Sequence, residues 1–355
     1  MKTLSIIITV ALLIMGCEST PINTKSDLEE NTREVATSSL EFGANRSISD
    51  NSVNGETPLM LGSTSQAASL ISTGNYLSCG IKVDGTAVCW GDNGYGQSNI
   101  PTELGTVKKI STLGSHTCAI KTDETAVCWG DNSFGQSNVP AELGKVRNIS
   151  AGSHHTCAIK TDETAACWGD DSSGQSSVPA GLGKVSSIST RGSHTCAIKS
   201  DETAVCWGDD TSGQSSVPAG LGKVSSISAG NKHTCVIKRN GTVECWGSNI
   251  SGQSKAPSDL GVVSSISTLK YHSCAIKSDS KAECWGADWA SQSRVPSDLG
   301  TVSSISAGAT HTCAVKTDGT TQCWGSNNAG ESTIPVDLQK SKLIGSNHNT
   351  SAWLF

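Results

Sequence analysis

From Lys145 to Pro179 the apolar residues come in short bursts separated by polar turns. Val146 and Ile149 open a brief β-pattern that stops at Gly152. Thr156-Cys157-Ala158-Ile159-Lys160 follows as a second strand, with Thr161-Asp162-Glu163 as its turn. Thr164-Ala165-Ala166-Cys167-Trp168-Gly169 returns as a third. After the loop Asp170–Gly174, Ser177-Val178-Pro179 reads as a brief outer strand, where an edge tolerates proline's missing donor. Such runs, bounded by Gly, Pro, Asp and Ser, predict short strands.

This unit recurs with a period of 39 residues. Its first cysteine stands at Cys79, Cys118, Cys157, Cys196, Cys235, Cys274 and Cys313. Its second stands ten positions later, at Cys89, Cys128, Cys167, Cys206, Cys245, Cys284 and Cys323, each followed by Trp-Gly. If Thr161-Asp162-Glu163 is a three-residue loop, Lys160 and Thr164 close it, and Cys157 falls opposite Cys167. They then occupy a non-hydrogen-bonded site, where strands approach most closely. That placement suits a cross-strand disulfide. The alternative is fourteen buried free thiols acting as small hydrophobes; zinc is disfavoured by the lack of Cys-x-x-Cys spacing. The last turn position wants Gly, as at Gly85, Gly241 and Gly319. Glu124, Glu163, Glu202 and Ser280 stand there instead, and strain is expected at each.

Four short strands per repeat describe a propeller blade, which needs neighbours to bury its apolar surface. The expected fold is all-β: a seven-bladed β-propeller with one cross-strand disulfide per blade, over residues 61–355. The opening Ile-Ser element occurs an eighth time at Ile344 without a hairpin after it. Residues from about 342 to 355 are therefore expected to close the ring.

His-Thr-Cys-Ala-Ile-Lys, the following turn, Val-Cys-Trp-Gly-Asp-Asn and Gly-Gln-Ser-Asn-Val-Pro together resemble the regulator of chromosome condensation repeat in its bacterial form. The resemblance covers about 270 of the 355 residues. That family includes eukaryotic exchange factors for a small GTPase and a secreted bacterial propeller that inhibits β-lactamases. The resemblance implies a binding propeller; the paired cysteines depart from the eukaryotic pattern.

The N-terminus has a separate character. Lys2 precedes an apolar stretch, Leu4 to Met15, too short to span a bilayer comfortably. It ends in Ile14-Met15-Gly16-Cys17, which resembles the lipobox of bacterial lipoproteins. That implies a signal peptide over 1–16, lipid on Cys17, and a cell-envelope location. Glu18, in place of the inner-membrane-retaining Asp, favours the outer membrane of a Gram-negative cell. Residues 17–60 lack apolar period and read as a lipidated flexible tether. Export also supplies the oxidising compartment that disulfides need. The formal net charge of −6 carries no basic footprint for nucleic acid.

Candidate chemistry is sparse. Histidine precedes the first cysteine by two positions at His116, His155, His194, His233, His272 and His311, with Leu77 in the first copy. Equivalent positions are spread around a ring, too far apart for one metal ion, so a structural hydrogen bond is expected at each. The repeated Trp90 to Trp324 read as packing between blades. The Asp-Asn loops lack the alternating acidic ligands of a calcium loop. No copy stands out with a nucleophile–base pair, so no enzyme, cofactor or metal site is expected. Function is expected where the copies differ. The loop before each histidine and the loop after each Trp-Gly share one face, which collects Tyr76, Tyr95, Phe134, Arg191, Lys232, Lys270, Tyr271 and Trp289. The expected function is a monomeric, lipid-anchored module binding a protein partner there. Carbohydrate binding is the alternative, and nucleotide exchange rests on family analogy alone.

Overall fold

The computed structural model describes residues 68–339. They fall in the compact unit Gly62–Phe355 and form seven three-stranded antiparallel sheets, each from consecutive strands. Blade 1 holds β1 (Ala68–Thr73), β2 (Leu77–Lys82) and β3 (Ala87–Gly91); blade 2 holds β4 (Val107–Leu113), β5 (His116–Lys121) and β6 (Ala126–Gly130). Blade 3 holds β7 (Val146–Ala151), β8 (His155–Lys160) and β9 (Ala165–Gly169); blade 4 holds β10 (Val185–Arg191), β11 (His194–Lys199) and β12 (Ala204–Gly208). Blade 5 holds β13 (Val224–Ala229), β14 (His233–Lys238) and β15 (Val243–Gly247); blade 6 holds β16 (Val263–Thr268), β17 (His272–Lys277) and β18 (Ala282–Gly286). Blade 7 holds β19 (Val302–Ala307), β20 (His311–Lys316) and β21 (Thr321–Gly325), and is followed by one turn of helix, α1 (Val336–Gln339).

The hairpin register is the one the turn chemistry dictates. Cys157 pairs Cys167, Ala158 pairs Ala166 and Ile159 pairs Ala165. All seven cysteine pairs are disulfides with Cα atoms 4.0–4.1 Å apart. The turn residues that lack glycine do sit in the left-handed region: φ is 72° at Glu124 and Glu163, 69° at Glu202 and 65° at Ser280. A side chain there is strained against its own carbonyl.

The expected fourth strand does not form. Residues 138–140 and their equivalents have no strand partner. Pro140 brings no N–H, and its carbonyl instead accepts the Leu143 N–H at 3.0 Å, making a turn. The polar side chains before it serve their own loop: Gln136 Oε1 accepts the Phe134 N–H at 2.9 Å, and Asn132 Nδ2 donates to Asn138 Oδ1 at 2.8 Å. Val139 still packs on the core.

That core lies between blades rather than within them. One cluster joins Leu77, Cys79 and Ile81 of blade 1 to Leu104, Val107, Ile110 and Trp129 at blade 2. Apart from Leu77, whose position is histidine in later copies, the same positions recur at each later junction. At the last junction Cys313 and Val315 meet Ile71 and Trp90, and Leu338 of α1 takes the place of Leu104. The ring is therefore closed within the described residues. Residues 342–355, expected to close it, lie outside them, as do Cys17 and the tether.

Two hydrogen-bonded belts reinforce these junctions. Each inner-strand serine accepts a backbone N–H from the next blade: Ser72 from Thr112 at 3.1 Å and Ser111 from Ala151 at 3.0 Å, round to Ser306 from Thr73 at 3.0 Å. Further out, each tryptophan indole donates to a loop carbonyl of the preceding blade, as Trp129 does to Gln97 at 2.9 Å and Trp90 to Glu331 at 2.9 Å. Identical side chains recur because identical junctions recur.

Candidate interaction face

The loop entering each middle strand and the loop leaving each outer strand are tied together. Asp92 N–H donates to the Tyr76 carbonyl at 2.7 Å, Asp131 to Ser115 at 2.8 Å, and Ala287 to Tyr271 at 2.9 Å. All seven blades therefore present both loops on one face, while the Asp- or Asn-containing hairpin turns lie on the other. The outer loops are held by their own polar residues. The buried Gln97 accepts the Tyr95 N–H at 2.8 Å and donates to Asp92 Oδ2 at 2.8 Å. Such internal bonding fixes the loop backbone and leaves the tip side chain free to point outward.

The tips carry most of the exposed large apolar side chains. Tyr76, Tyr95, Phe134 and Trp289 are 43, 61, 51 and 62% exposed. They fall in two arcs. Tyr76, Tyr95 and Phe134 belong to blades 1 and 2, where the Phe134 ring sits 4.9 Å from His154. Tyr271 and Trp289 belong to blade 6 and meet edge-on at 5.0 Å, with Lys270 Nζ 5.3 Å from the Tyr271 ring centre. Such contacts hold an aromatic in one orientation before any partner arrives. The sequence reading missed Ile250, 94% exposed on blade 5. Its signal was available: Gly94, Ser133, Ser172 and Thr211 hold its register, and Trp289 follows it one blade on.

Blades 3 and 4 separate the arcs with an acidic sector. Asp171 and Asp210 are held below the usual carboxylate range, first by hydrogen bonds from the Ser177 and Ser216 hydroxyls. Ser173 and Ser212 stand where Tyr95 and Phe134 stand in the first two blades. Lys232 is exposed on blade 5, and Lys270 is half-buried beside the axial mouth.

Arg191 behaves differently from the expectation that placed it among the partner contacts. It ends the inner strand β10 and turns inward, where Nη1 donates to the Thr73 carbonyl of blade 1 at 3.2 Å. At this register Gly152 and Gly230 carry no side chain and Leu113 and Leu269 are buried and apolar, so Arg191 alone makes a polar side-chain contact across the ring. Burial lowers its pKa to about 10, which leaves it charged at neutral pH. Arg191 is thus a strut across the axis.

The histidines are buried between blades. His116 Nε2 meets Thr156 Oγ1 at 2.8 Å, His155 meets Thr195 at 2.9 Å, and His311 closes the series on Ser78 at 3.0 Å. Desolvation lowers their pKa values to about 3 or 4. Among the described residues no three His, Cys, Asp or Glu side chains group closely enough to hold a metal ion.

The model of the regulator of chromosome condensation (RCC1) repeat matches residues 69–97, 107–136, 146–175, 185–214, 224–253 and 302–331, just over half of the chain. The chain belongs to the RCC1 repeat family. The blade 6 copy, which is not among the matched segments, is the one where Ser291 replaces the loop glycine. Solved structures agree with an RCC1-type ring. The ectodomain of the Physcomitrella patens receptor kinase CR4 is 27% identical, with 74% of each chain covered and a TM-score of 0.61. The CRINKLY WD40 ectodomain of the Arabidopsis thaliana receptor kinase ACR4 is 25% identical over 73% of this chain and 98% of its own, with a TM-score of 0.59. Prp20p from Saccharomyces cerevisiae, described with its binding properties to Gsp1p and histones, shares the fold at 14% identity and a TM-score of 0.61, with 79% of this chain and 88% of its own covered. No curated protein matches this chain significantly.

Proposed function

We propose that this RCC1-type propeller is a lipid-anchored envelope module that binds a protein partner through its loop face. The carrying observation is the pair of aromatic arcs on blades 1–2 and on blade 6, exposed yet held by rigid loops. Aromatic side chains on a pre-ordered scaffold contribute interface energy at low entropic cost. RCC1-type propellers commonly serve protein interaction, and relatives at this fold level include one studied for binding Gsp1p and histones. The anchor is supported by the sequence from Leu4 to Cys17, which lies outside the described residues.

Site-specific photo-crosslinking tests this reading. A benzophenone side chain at Tyr95 or Trp289 should trap one discrete envelope protein. The same group at Val83 or Val262, which are 61 and 51% exposed on the opposite face, should not. Equal trapping from both faces would overturn the assignment.

A further inference from the structure

Two cations enter the axial channel, and none of its lining is acidic. The cavity is walled by the serines Ser72, Ser111, Ser150, Ser189, Ser267 and Ser306, together with Lys109 and Arg191. Lys109 occupies a register held by Asn148, Ser187, Ser226, Ser265 and Ser304 in later copies. Arg191 occupies one held by Gly74, Gly152, Gly230 and Gly308 and by the buried Leu113 and Leu269. Lys109 is a long cation where its later siblings are short and uncharged, and Arg191 is a cation where its siblings are glycine or leucine. The repeat is thus broken, inside the ring, by charge of one sign.

Neither cation is neutralised. Lys109 Nζ donates to the amide oxygen Asn148 Oδ1 at 2.7 Å, and Arg191 to a backbone carbonyl. No carboxylate among the described residues pairs with either, although Lys108 next door pairs with Glu124 at 3.4 Å. Burying an ammonium without a counter-charge is costly, and burial lowers the Lys109 pKa to about 7. The serines add donors of the right kind. Ser72, Ser111, Ser189 and Ser267 each accept one backbone N–H, and each keeps a hydroxyl proton to give. Cations and hydroxyl donors converging on one enclosed space match an anion and repel a cation.

We propose that the axial channel is a binding site for one compact inorganic anion, seated between Lys109 and Arg191 and hydrogen-bonded by the inner-strand serines. Its volume of about 20 Å³ suits one small ion rather than a larger ligand. A wider mouth of about 240 Å³, lined by Leu113 and Leu269 together with Asn75, Gly192, Asn231 and Lys270, adjoins the Arg191 level of the ring. The anion would screen Lys109 and Arg191 from each other across blades 1 to 4, joining blades far apart in sequence. This proposal does not depend on the partner-binding reading.

The test uses the mature protein at constant ionic strength and pH 6.5, below the Lys109 pKa, where the ammonium is charged. Sodium chloride or sodium phosphate replaces sodium gluconate, an anion too bulky for the cavity. Wild type should show a saturable rise in Tm with a compact anion. Lys109→Met should lose that rise, yet be no less stable than wild type in gluconate, because it removes an unneutralised cation. ¹³C-labelled lysine NMR gives a second readout: anion saturation should raise the Lys109 pKa by about one unit. An identical anion response in wild type and Lys109→Met, an unsaturable salt effect, or a Lys109 titration blind to both anions would overturn the site.

Discussion

His116 Nε2 and Thr156 Oγ1 lie 2.8 Å apart although 40 residues and one blade boundary separate them. Five more histidines repeat this bond around the ring. In every case the other ring nitrogen, Nδ1, is buried without a partner. Protonation would place a second N–H where no acceptor waits, so the folded ring holds these imidazoles neutral.

Acid should therefore loosen the ring well above the usual carboxylate range. The unfolded chain binds protons at these histidines near pH 6.5, whereas the folded chain resists until pH about 3 or 4. The stabilisation is complete above pH 6.5 and declines as pH falls toward the folded values. The slope approaches about 1.4 kcal/mol per pH unit for each histidine. Urea unfolding at pH 7.5, 6.0 and 5.0 should show a steep loss. A stability unchanged to pH 5 would contradict the neutral histidine belt.

Ser150→Ala should cost about 1–3 kcal/mol, because it leaves the buried Thr190 N–H without its acceptor at 3.0 Å. Ser172→Ala, in an exposed loop, should cost less than about 0.5 kcal/mol. Denaturant midpoints of the two variants measure the difference, and equal midpoints would remove the serine belt as a source of stability.

Ser280→Gly should stabilise the protein by about 0.5–1 kcal/mol. The residue sits at φ 65°, where glycine carries no Cβ penalty. Glu124→Gly relieves the same strain but also removes the exposed ion pair with Lys108, so its gain should be smaller. Thermal unfolding of both variants checks the order.

Each disulfide closes a loop of ten residues, Cys157 to Cys167 for instance. The paired replacement Cys157→Ala with Cys167→Ala should destabilise by about 2–3 kcal/mol. Thiol titration of denatured, unreduced protein should find none of the fourteen repeat cysteines free.

Much of this fold was legible because its information is local. The hairpin turn fixes a register, and the register sets Cys157 opposite Cys167 and forces Glu163 into the left-handed region. The missing fourth strand was not legible, since Val139-Pro140 has strand character until its neighbours choose to bond within the loop. Contacts between blades were hidden for a different reason. The partners of Ser72, His116 and Trp129 lie 32 to 40 residues away, and no short-range pattern names them. The shared face was read correctly from alternation of turns. Arg191 was expected on the loop face because position alone does not say whether a long side chain leans outward or across the ring.

Affinity capture measures the binding role of the aromatic arcs most directly. Wild-type protein and a variant carrying Tyr76→Ala, Tyr95→Ala, Phe134→Ala and Trp289→Ala are immobilised and exposed to the same envelope extract. These side chains are exposed, so the variant should keep the wild-type melting temperature to within a few degrees. Wild type should retain a discrete protein that the variant loses by at least about tenfold, equivalent to about 1.4 kcal/mol or more. Retention of the same proteins in equal amounts by both would contradict the assignment of this face.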